Sequence, residues 1–154
     1  MALDTFALQI ENFSNKSLHT MTLITKKTAI DLFSSVVRDT PVDEGYLRGG
    51  WQTSFNSPIT ADNNISDPNG VTALKGIAQG AEQLRSDGTI YFSNLKPYAE
   101  VVEDGLYPTK NADNPNSKVT TEGYSKKSPA GMVKKNLPRF DTIVQQNANE
   151  AGLN

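Results

Sequence analysis

One stretch in the first third of the chain decides how the rest folds, and it reads Asp39-Thr40-Pro41-Val42-Asp43-Glu44-Gly45-Tyr46-Leu47-Arg48-Gly49-Gly50-Trp51. Pro41 disfavours a helical backbone at Thr40, so a helix that precedes it should end there. Residues 43–45 predict a tight turn, because an Asp side chain can bond to nearby backbone and Gly accepts positive φ. From Leu47 to Asn56 apolar and polar residues alternate, which predicts a strand with one buried face.

A long amphipathic helix is predicted before this stretch, from about Asn15 to Arg38. Apolar residues recur there on one face at helical spacing, and they include Leu23, Ile30, Phe33 and Val37. Residues 6–13 form a partly alternating apolar lead-in that ends at Ser14 or Asn15, either of which is a suitable helix cap. Trp51 is the only tryptophan, and we expect it to be buried against the face of this helix that carries Ile30, Phe33 and Val37.

Shorter elements follow the Trp51 strand. Residues 57–70 are rich in Ser, Pro, Asp, Asn and Gly, which predicts an exposed loop. A weak helix is expected from Val71 to Leu84, and the run at residues 89–94 has the composition of a second strand. The predicted fold class is therefore α+β, a small mixed domain with a long N-terminal helix, a short antiparallel β-sheet and a C-terminal helix.

The second half of the chain is predicted to be irregular up to a final helix. A short helical turn begins near Tyr98 and ends at Gly105. Residues 106–122 show no periodicity, and loops of this length are usually functional or disordered. The last helix is expected to begin at Pro129 and to be kinked or split at Pro138. The polar segment 145–154 should be frayed.

Length and composition restrict the class of protein. The 154 residues suit one domain, 1–154, and the absence of cysteine excludes disulfide scaffolds and thiolate chemistry and indicates a reducing compartment. The N-terminus resembles neither a signal peptide nor a membrane anchor, so we expect a soluble protein made in the cytoplasm that has no membrane partner. The net charge of -2 argues against a main role in gripping nucleic acid, although it allows DNA to pass nearby.

Candidate chemical groups are few. Carboxylates cluster at residues 43–44 and at residues 100–104, where they are suited either to general acid–base work or to a turn and a helix end. His19 has no partner motif and is expected to be a solvated helix residue. No glycine-rich phosphate loop or metal-ligand spacing is present, so no cofactor, metal or catalytic residue is predicted.

Two basic features remain. Arg48 is expected to pair with Asp43, Glu44 or a carboxylate of residues 100–104. Lys126, Lys127, Lys134 and Lys135 form the basic concentration of the chain, which is either a solvated or subunit-facing patch or a surface that touches passing DNA.

Beyond these local patterns, several blocks together resemble the neck or tail-completion (head–tail joining) family of long-tailed bacteriophages, to which the lambda tail-completion protein is related. They occur in the family's order between Thr40 and about Phe140. The motif residues are Thr40, Pro41, Val42, Asp43, Gly45, Leu47, Arg48 and Trp51, then Asn94, Tyr98, Ala99, Glu103 and Gly105, and finally Pro129, Gly131 and Met132.

The chain departs from the family pattern in three places. The usual Asn-Leu-Pro-Tyr reads Asn94-Leu95-Lys96-Pro97-Tyr98 here, so one residue is added at the end of a strand, where a bulge or a longer turn would accommodate it. The usual Gln-Ala-Pro reads Lys127-Ser128-Pro129, and Pro138 stands where the family continues a regular helix.

The resemblance implies a structural virion protein of the phage tail or neck that is assembled in the bacterial host. Copies would form a homo-oligomeric ring, six-fold by expectation, at the head–tail junction. The neighbours would be a head-closure or connector protein and a tail terminator or tail tube, and DNA would pass without sequence-specific binding. The first alternative is a tail terminator, and an alternative from another class is a carboxylate-dependent hydrolase.

The compositional argument also names an interface. Loops such as residues 106–122 bury too little apolar surface to offset the entropy of ordering unless a partner contributes. We therefore expect this loop and the segment 145–154 to contact neighbouring subunits rather than their own domain. Leu106, Tyr107 and Pro108 are the expected anchors.

Overall fold

The structure is a computed structural model that describes residues 2–110 and 112–152, with side chains of the first helix described from Thr5 onward. The predicted α+β class is confirmed, with a long N-terminal helix, a two-stranded antiparallel sheet and a C-terminal helix. In chain order the elements are α1 (Ala2–Asp39), α2 (Tyr46–Gly49), β1 (Trp51–Phe55), α3 (Val71–Gln83), β2 (Ile90–Asn94), α4 (Ala99–Asp104), α5 (Val133–Asn136), a 3-10 turn (Leu137–Arg139) and α6 (Phe140–Glu150).

Helix α1 ends at Asp39, as Pro41 predicts, but it starts much earlier than expected. It begins at Ala2, so the predicted start at about Asn15 is wrong, and Ser14 lies within the helix rather than at its cap. Neither Gly nor Pro occurs before Pro41, so nothing interrupts the helical hydrogen bonds. Because residues 5–16 are all exposed, no buried face imposed a clear helical pattern on them.

The predicted strand from Leu47 is also wrong at its start, because Leu47 lies in the short helix α2. Gly45 adopts a φ of 87°, and its carbonyl accepts a hydrogen bond from the Gly49 N–H at 2.8 Å, which closes a helical turn. A Cβ at Gly45 would lie 2.5 Å from the Pro68 nitrogen, so only glycine fits. The strand itself begins at Trp51.

The core lies between the sheet, the C-terminal half of α1, and α3. Strands β1 and β2 place Trp51 opposite Asn94 and Thr53 opposite Phe92. Trp51 is 7% exposed and stacks on Phe92 at 4.6 Å between ring centroids, and Phe92 stacks on Phe33 of α1 at 4.5 Å. The predicted burial of Trp51 against α1 is confirmed. The buried cluster contains Val36, Val37, Leu47, Trp51, Ala73, Ile77, Val102 and Met132, with Ile30 packed against it.

The C-terminal helical region starts later than predicted. Helix α5 begins at Val133 and not at Pro129, which lies in the preceding turn. The Ser128 hydroxyl stabilises that turn by donating to the Gly131 carbonyl at 2.8 Å. The split predicted at Pro138 is confirmed, because a 3-10 turn separates α5 from α6.

The segment after Gln145 was predicted to be frayed, and this is wrong as far as Glu150, where α6 ends. Asn147 is 4% exposed, and its amide donates to the Thr28 hydroxyl at 3.3 Å and to the Asp31 carboxylate at 3.1 Å. The segment therefore packs on α1 of its own domain through Asn147. Leu153 and Asn154 of the predicted interaction segment lie outside the described part of the chain, as does Asn111 in the loop 106–122.

Candidate functional site

A hydrogen bond between Thr40 and Trp51 joins the two ends of the stretch 39–51. Thr40 is 1% exposed, and its hydroxyl accepts a hydrogen bond from the Trp51 indole Nε1–H at 2.8 Å. The same hydroxyl donates to the Val36 carbonyl at 2.8 Å. A buried indole N–H without an acceptor would cost about 1–3 kcal/mol. Thr40, which follows the end of α1, therefore also holds Trp51, the first residue of β1, in place.

Arg48 binds backbone carbonyls. Its Nη1 donates to the Pro68 carbonyl at 2.7 Å, and its Nη2 donates to the carbonyls of Arg38 at 3.1 Å and Thr40 at 2.7 Å. The last carbonyls of a helix lack intrahelical donors and carry partial negative charge, so a guanidinium satisfies them well. Arg48 thereby ties the end of α1 to the loop that precedes α3.

The ion pair predicted for Arg48 with Asp43, Glu44 or residues 100–104 is therefore wrong. Among the described residues, the charge that acts on Arg48 is that of Asp67, which raises its pKa, whereas burial lowers it more strongly. The net effect is a lowered pKa, although a guanidinium stays charged at any physiological pH.

The residue added relative to the family pattern, Lys96, is buried. It follows the end of β2 at Asn94, so a longer turn accommodates it and the strand pairing is unaffected. Its ammonium donates to the Asp62 carboxylate at 2.8 Å and to the Asn63 carbonyl at 2.7 Å, which ties down the loop 57–70. Asn94 holds the turn from the other side, because its amide donates to the Leu47 carbonyl at 2.8 Å.

Glu103 caps the C-terminal helical region. Its Oε2 accepts hydrogen bonds from the backbone N–H groups of Met132 at 2.7 Å and Val133 at 2.9 Å, and its Oε1 accepts one from Lys134 at 2.7 Å. Gly131 allows this approach with a φ of 77°, since a Cβ there would lie 2.6 Å from the Glu103 carbonyl oxygen. The Glu103 carboxylate is thus already occupied by three amides, which is a structural use.

A cavity of about 540 Å³ opens beside the motif turn. We call it the motif pocket, and it is lined by residues 41–47, 117–119 and 125–127 with Tyr98, Val102 and Tyr107. Apolar side chains dominate, and the charged ones are Asp43, Glu44, Lys118, Lys126 and Lys127. Burial raises the pKa of the Tyr107 hydroxyl, and the neighbouring Tyr98 raises it further. A pocket of this size and lining suits apolar side chains of a partner.

The three expected interface anchors lie in different environments. Leu106 is 57% exposed and Pro108 is exposed, so both are accessible to a partner. Tyr107 is half-buried against the core, and its N–H donates to the Gly123 carbonyl at 3.1 Å. The expectation that the loop avoids its own domain is therefore wrong for Tyr107, which the core holds in place as a wall of the motif pocket.

The basic residues divide between paired and pocket-lining positions. Lys134 pairs with Asp104, and Lys135 binds the Asp39 carboxylate at 2.7 Å. Lys127 donates to the Val42 carbonyl at 2.5 Å, and Lys126 is exposed. The four lysines therefore do not form one continuous patch. Lys134 and Lys135 are in ion pairs, and Lys126 and Lys127 line the motif pocket.

His19 is exposed on α1, as predicted. Within residues 2–110 and 112–152, no group of three or more His, Cys, Asp or Glu side chains is placed to hold a metal ion.

One helix cap was missed from the sequence although a signal for it exists. Asp67 is 6% exposed, and its carboxylate accepts hydrogen bonds from the N–H groups of Val71 at 2.9 Å and Ala73 at 3.1 Å, so it caps α3. An Asp in an Asp-Pro-Asn-Gly turn directly before an apolar helical pattern is a recognisable start signal. The cap made by Glu103 and the loop contact made by Lys96 have no such signal, because their partners lie about 30 residues away in sequence.

Comparison of the chain with protein families, with characterised proteins and with solved structures gives no match. No helix in the described part of the chain is both long enough and apolar enough to cross a membrane.

Proposed function

We propose that the chain is a structural virion protein of a tailed bacteriophage, a neck or tail-completion component that forms a ring at the head–tail junction through which DNA passes. The observation that carries the proposal is the joint occurrence, in the family's order, of the motif blocks between Thr40 and Phe140. A single block is a weak signal, whereas several in one order are far more specific.

The roles of the motif residues support this proposal, because their hydrogen bonds hold the first block together and join it and the later blocks to one another. Thr40 accepts the indole N–H of Trp51, Asn94 donates to the Leu47 carbonyl, and Glu103 caps the helix after Met132. The motif residues therefore hold the domain together, and their polar groups are used in structural hydrogen bonds. Rigid contact with neighbours is the work of an assembly protein, so we propose no catalysis.

The charge distribution suits a protein beside moving DNA. The net charge is -2, and Lys134 and Lys135 are each paired with a carboxylate. Tight binding to a phosphate backbone needs several unpaired cations in one row. DNA would therefore pass such a ring without being held. On this proposal the partners are copies of the chain, a head-closure or connector protein, and a tail terminator or tail tube.

Deletion of the gene from the phage that encodes it, followed by electron microscopy of the particles, tests the proposal. We expect tails of normal length that fail to join heads, with rescue by the wild-type gene supplied in trans. Tails of uncontrolled length would show a terminator instead. Normal, infectious particles would contradict any neck function. If assembly stayed intact while Glu103→Gln abolished a hydrolytic activity, the chain would be a hydrolase.

A further inference from the structure

Strand β2 is the open side of a sheet that has two strands in the described part of the chain. An isolated pair of strands is marginally stable. The Asn56 N–H donates to the Thr89 carbonyl at 2.8 Å, and in an antiparallel pair such bonded positions alternate with unbonded ones. With the observed register, Tyr91 and Ser93 are therefore the residues of β2 whose backbone groups bond to β1. The backbone groups of the other β2 residues point to the outer edge of the sheet.

This outer edge has unused hydrogen-bonding groups. Within residues 2–110 and 112–152, no hydrogen bond reaches the outward N–H and C=O groups of Ile90 and Phe92. Strand β2 is half-exposed along its length. It contains neither a charged residue nor proline, and its pairing with β1 has no bulge. Proteins usually protect a free edge with one of these features, so the edge of β2 is an open template for a further strand.

A small apolar cavity lies beside Phe92 on the buried face of the sheet. Its volume is about 150 Å³, and it is lined by Leu32, Phe33, Val36, Phe92, Val133 and Leu137. Because no residue of β1 lines the cavity, it lies on the side of Phe92 that faces away from β1. Leu137 is 58% exposed, so the cavity opens to solvent. An apolar cavity of about this volume can hold a benzene-sized group.

We infer that the outer edge of β2 binds an extended segment of another protein as a third strand, with one apolar side chain of that segment in the cavity beside Phe92. An extended polypeptide supplies donors and acceptors at the spacing of a strand edge, and its alternate side chains point to the same face. The residue opposite Phe92 would lie about 4.5–5.5 Å away between Cβ atoms, on the face where the cavity opens. The bound segment should therefore carry a large apolar residue between two polar ones.

Strand β2 of a second copy does not suit this edge. Its Phe92 would already be stacked on its own Phe33 and Trp51. Its Ile90 faces its own α3, since a Cβ at Gly80 would lie 3.9 Å from the Ile90 Cδ1 atom. Neither side chain can leave its own core to fill the cavity of a neighbour. The added strand therefore comes from a segment without a core of its own, such as a terminal arm or a loop.

Amide hydrogen exchange of the full chain, measured by NMR, tests the state of the edge without any ligand. The amides of Tyr91 and Ser93 should be protected by their bonds to β1. Those of Ile90 and Phe92 should exchange at least about 100-fold faster, because they face solvent at the edge. Equal protection of all four amides would show that the chain itself covers the edge, and this would overturn the inference.

A synthetic peptide, acetyl-Lys-Thr-Thr-Leu-Thr-Thr-Lys-amide, is the probe for strand addition. We expect it to protect the amides of Ile90 and Phe92 and to leave those of Tyr91 and Ser93 unchanged. One control peptide has Asp in place of Leu, so it cannot fill the cavity, and another is N-methylated at Leu, so it lacks the central donor. Both should bind at least about 10-fold more weakly. No protection of Phe92 at millimolar probe peptide would overturn the inference.

A pair of variants places the peptide on the structure. Leu137→Lys puts a charge at the mouth of the cavity and should weaken binding of the probe peptide by about 10-fold. Leu106→Lys is the matched control, because Leu106 is 57% exposed but does not line the cavity. Both replaced side chains are exposed, so both variants should fold, which their amide spectra verify. Equal binding by Leu137→Lys and wild type would show that the peptide lies elsewhere and would overturn the inference.

The concentration of the chain provides the last discrimination. Protection of the Phe92 amide that rises with the concentration of the chain alone would show that a second copy pairs with this edge, and would overturn the assignment to another protein. Only the expectation that the donor is a neighbouring virion protein rests on the proposed neck function. Failure of the exchange and peptide tests would leave the gene-deletion test of that function unaffected.

Discussion

Several single side chains in this protein connect segments that are far apart in sequence. Arg48 satisfies carbonyls at the end of α1 and in the loop before α3. The apolar ring surface of Trp51 stacks on Phe92. Its indole N–H donates a hydrogen bond to the Thr40 hydroxyl. An aromatic residue that is fully satisfied in both respects is an anchor of the core.

Replacement of Trp51 by Ala should therefore lower the free energy of unfolding by about 3–5 kcal/mol, since it leaves a cavity beneath β1 and removes the donor to Thr40. Urea denaturation followed by circular dichroism measures this loss. Val71→Ala, at a valine that is 64% exposed, is the control and should change stability by no more than about 0.5 kcal/mol. An unchanged urea midpoint for Trp51→Ala would refute its role in the core.

At the scale of elements, helix ends are held by side chains from other elements. Glu103 of α4 caps α5, and Asp67 caps α3 from the loop before it. The end of α1 is different, because it carries the acidic Asp39 where a helix terminus favours a cation. Lys135 and Asn136 of α5 compensate by donating to the two Asp39 carboxylate oxygens at 2.7 and 2.8 Å.

This contact makes the junction between α1 and α5 dependent on pH. Partial burial raises the pKa of Asp39, but the hydrogen bonds from Lys135 and Asn136 outweigh it, so the pKa is lowered. The unfolded-state pKa is about 3.9. A lowered folded-state value therefore contributes stability above that pH, and the contribution is lost as the pH falls through the folded-state pKa.

Asp39→Asn should accordingly remove part of the acid sensitivity. We expect the variant to be less stable than wild type by at most about 1 kcal/mol at pH 7, because the pair is solvent-screened. The difference should disappear near pH 2. Thermal unfolding across this range provides the measurement, with Asp87→Asn, at an exposed turn, as the control. Parallel pH curves for wild type and Asp39→Asn would contradict the assignment.

At the scale of the whole molecule, a rigid body carries two accessible features, the exposed residues 5–16 of α1 and the motif pocket. The loop 106–122 belongs partly to the body. Its beginning is held by Tyr107, and its later part is tied by the Thr120 and Tyr124 backbone at 2.8 Å and by the Lys118 and Lys126 backbone at 2.9 Å. Residues 113–116 between these ties are exposed.

Limited trypsin digestion should reflect this division. In the dilute protein we expect early cleavage after Lys110, which is exposed and precedes the tied part of the loop, and slower cleavage after Lys118 and Lys126. In an assembled ring, cleavage after Lys110 should slow if the loop contacts a neighbour. Equal cleavage after Lys110 in the dilute and the assembled protein would show that no neighbour covers that part of the loop.

The sequence alone determined the features that depend on local backbone chemistry and periodicity. Pro41 ends α1, Pro138 splits the last helix, and the β-rich run at residues 89–94 forms the strand that pairs with β1. The apolar face of α1 and the lone Trp51 sufficed to predict their contact. These outcomes were predictable because the governing interactions act within a few residues, or because one buried face imposes its period on the chain.

Tertiary structure alone decided the partners of the polar groups and therefore the candidate site. Arg48 binds backbone carbonyls and not carboxylates. Glu103 caps a helix that lies about 30 residues away in sequence. The hydrogen bonds of Asn147 hold the polar C-terminal segment against α1 as a packed helix. The motif pocket exists only because segments around Pro41, Tyr98 and Val119 meet in space. A hydrogen bond between distant residues leaves no period in the sequence, so such contacts follow from the packing of the elements and not from their patterns.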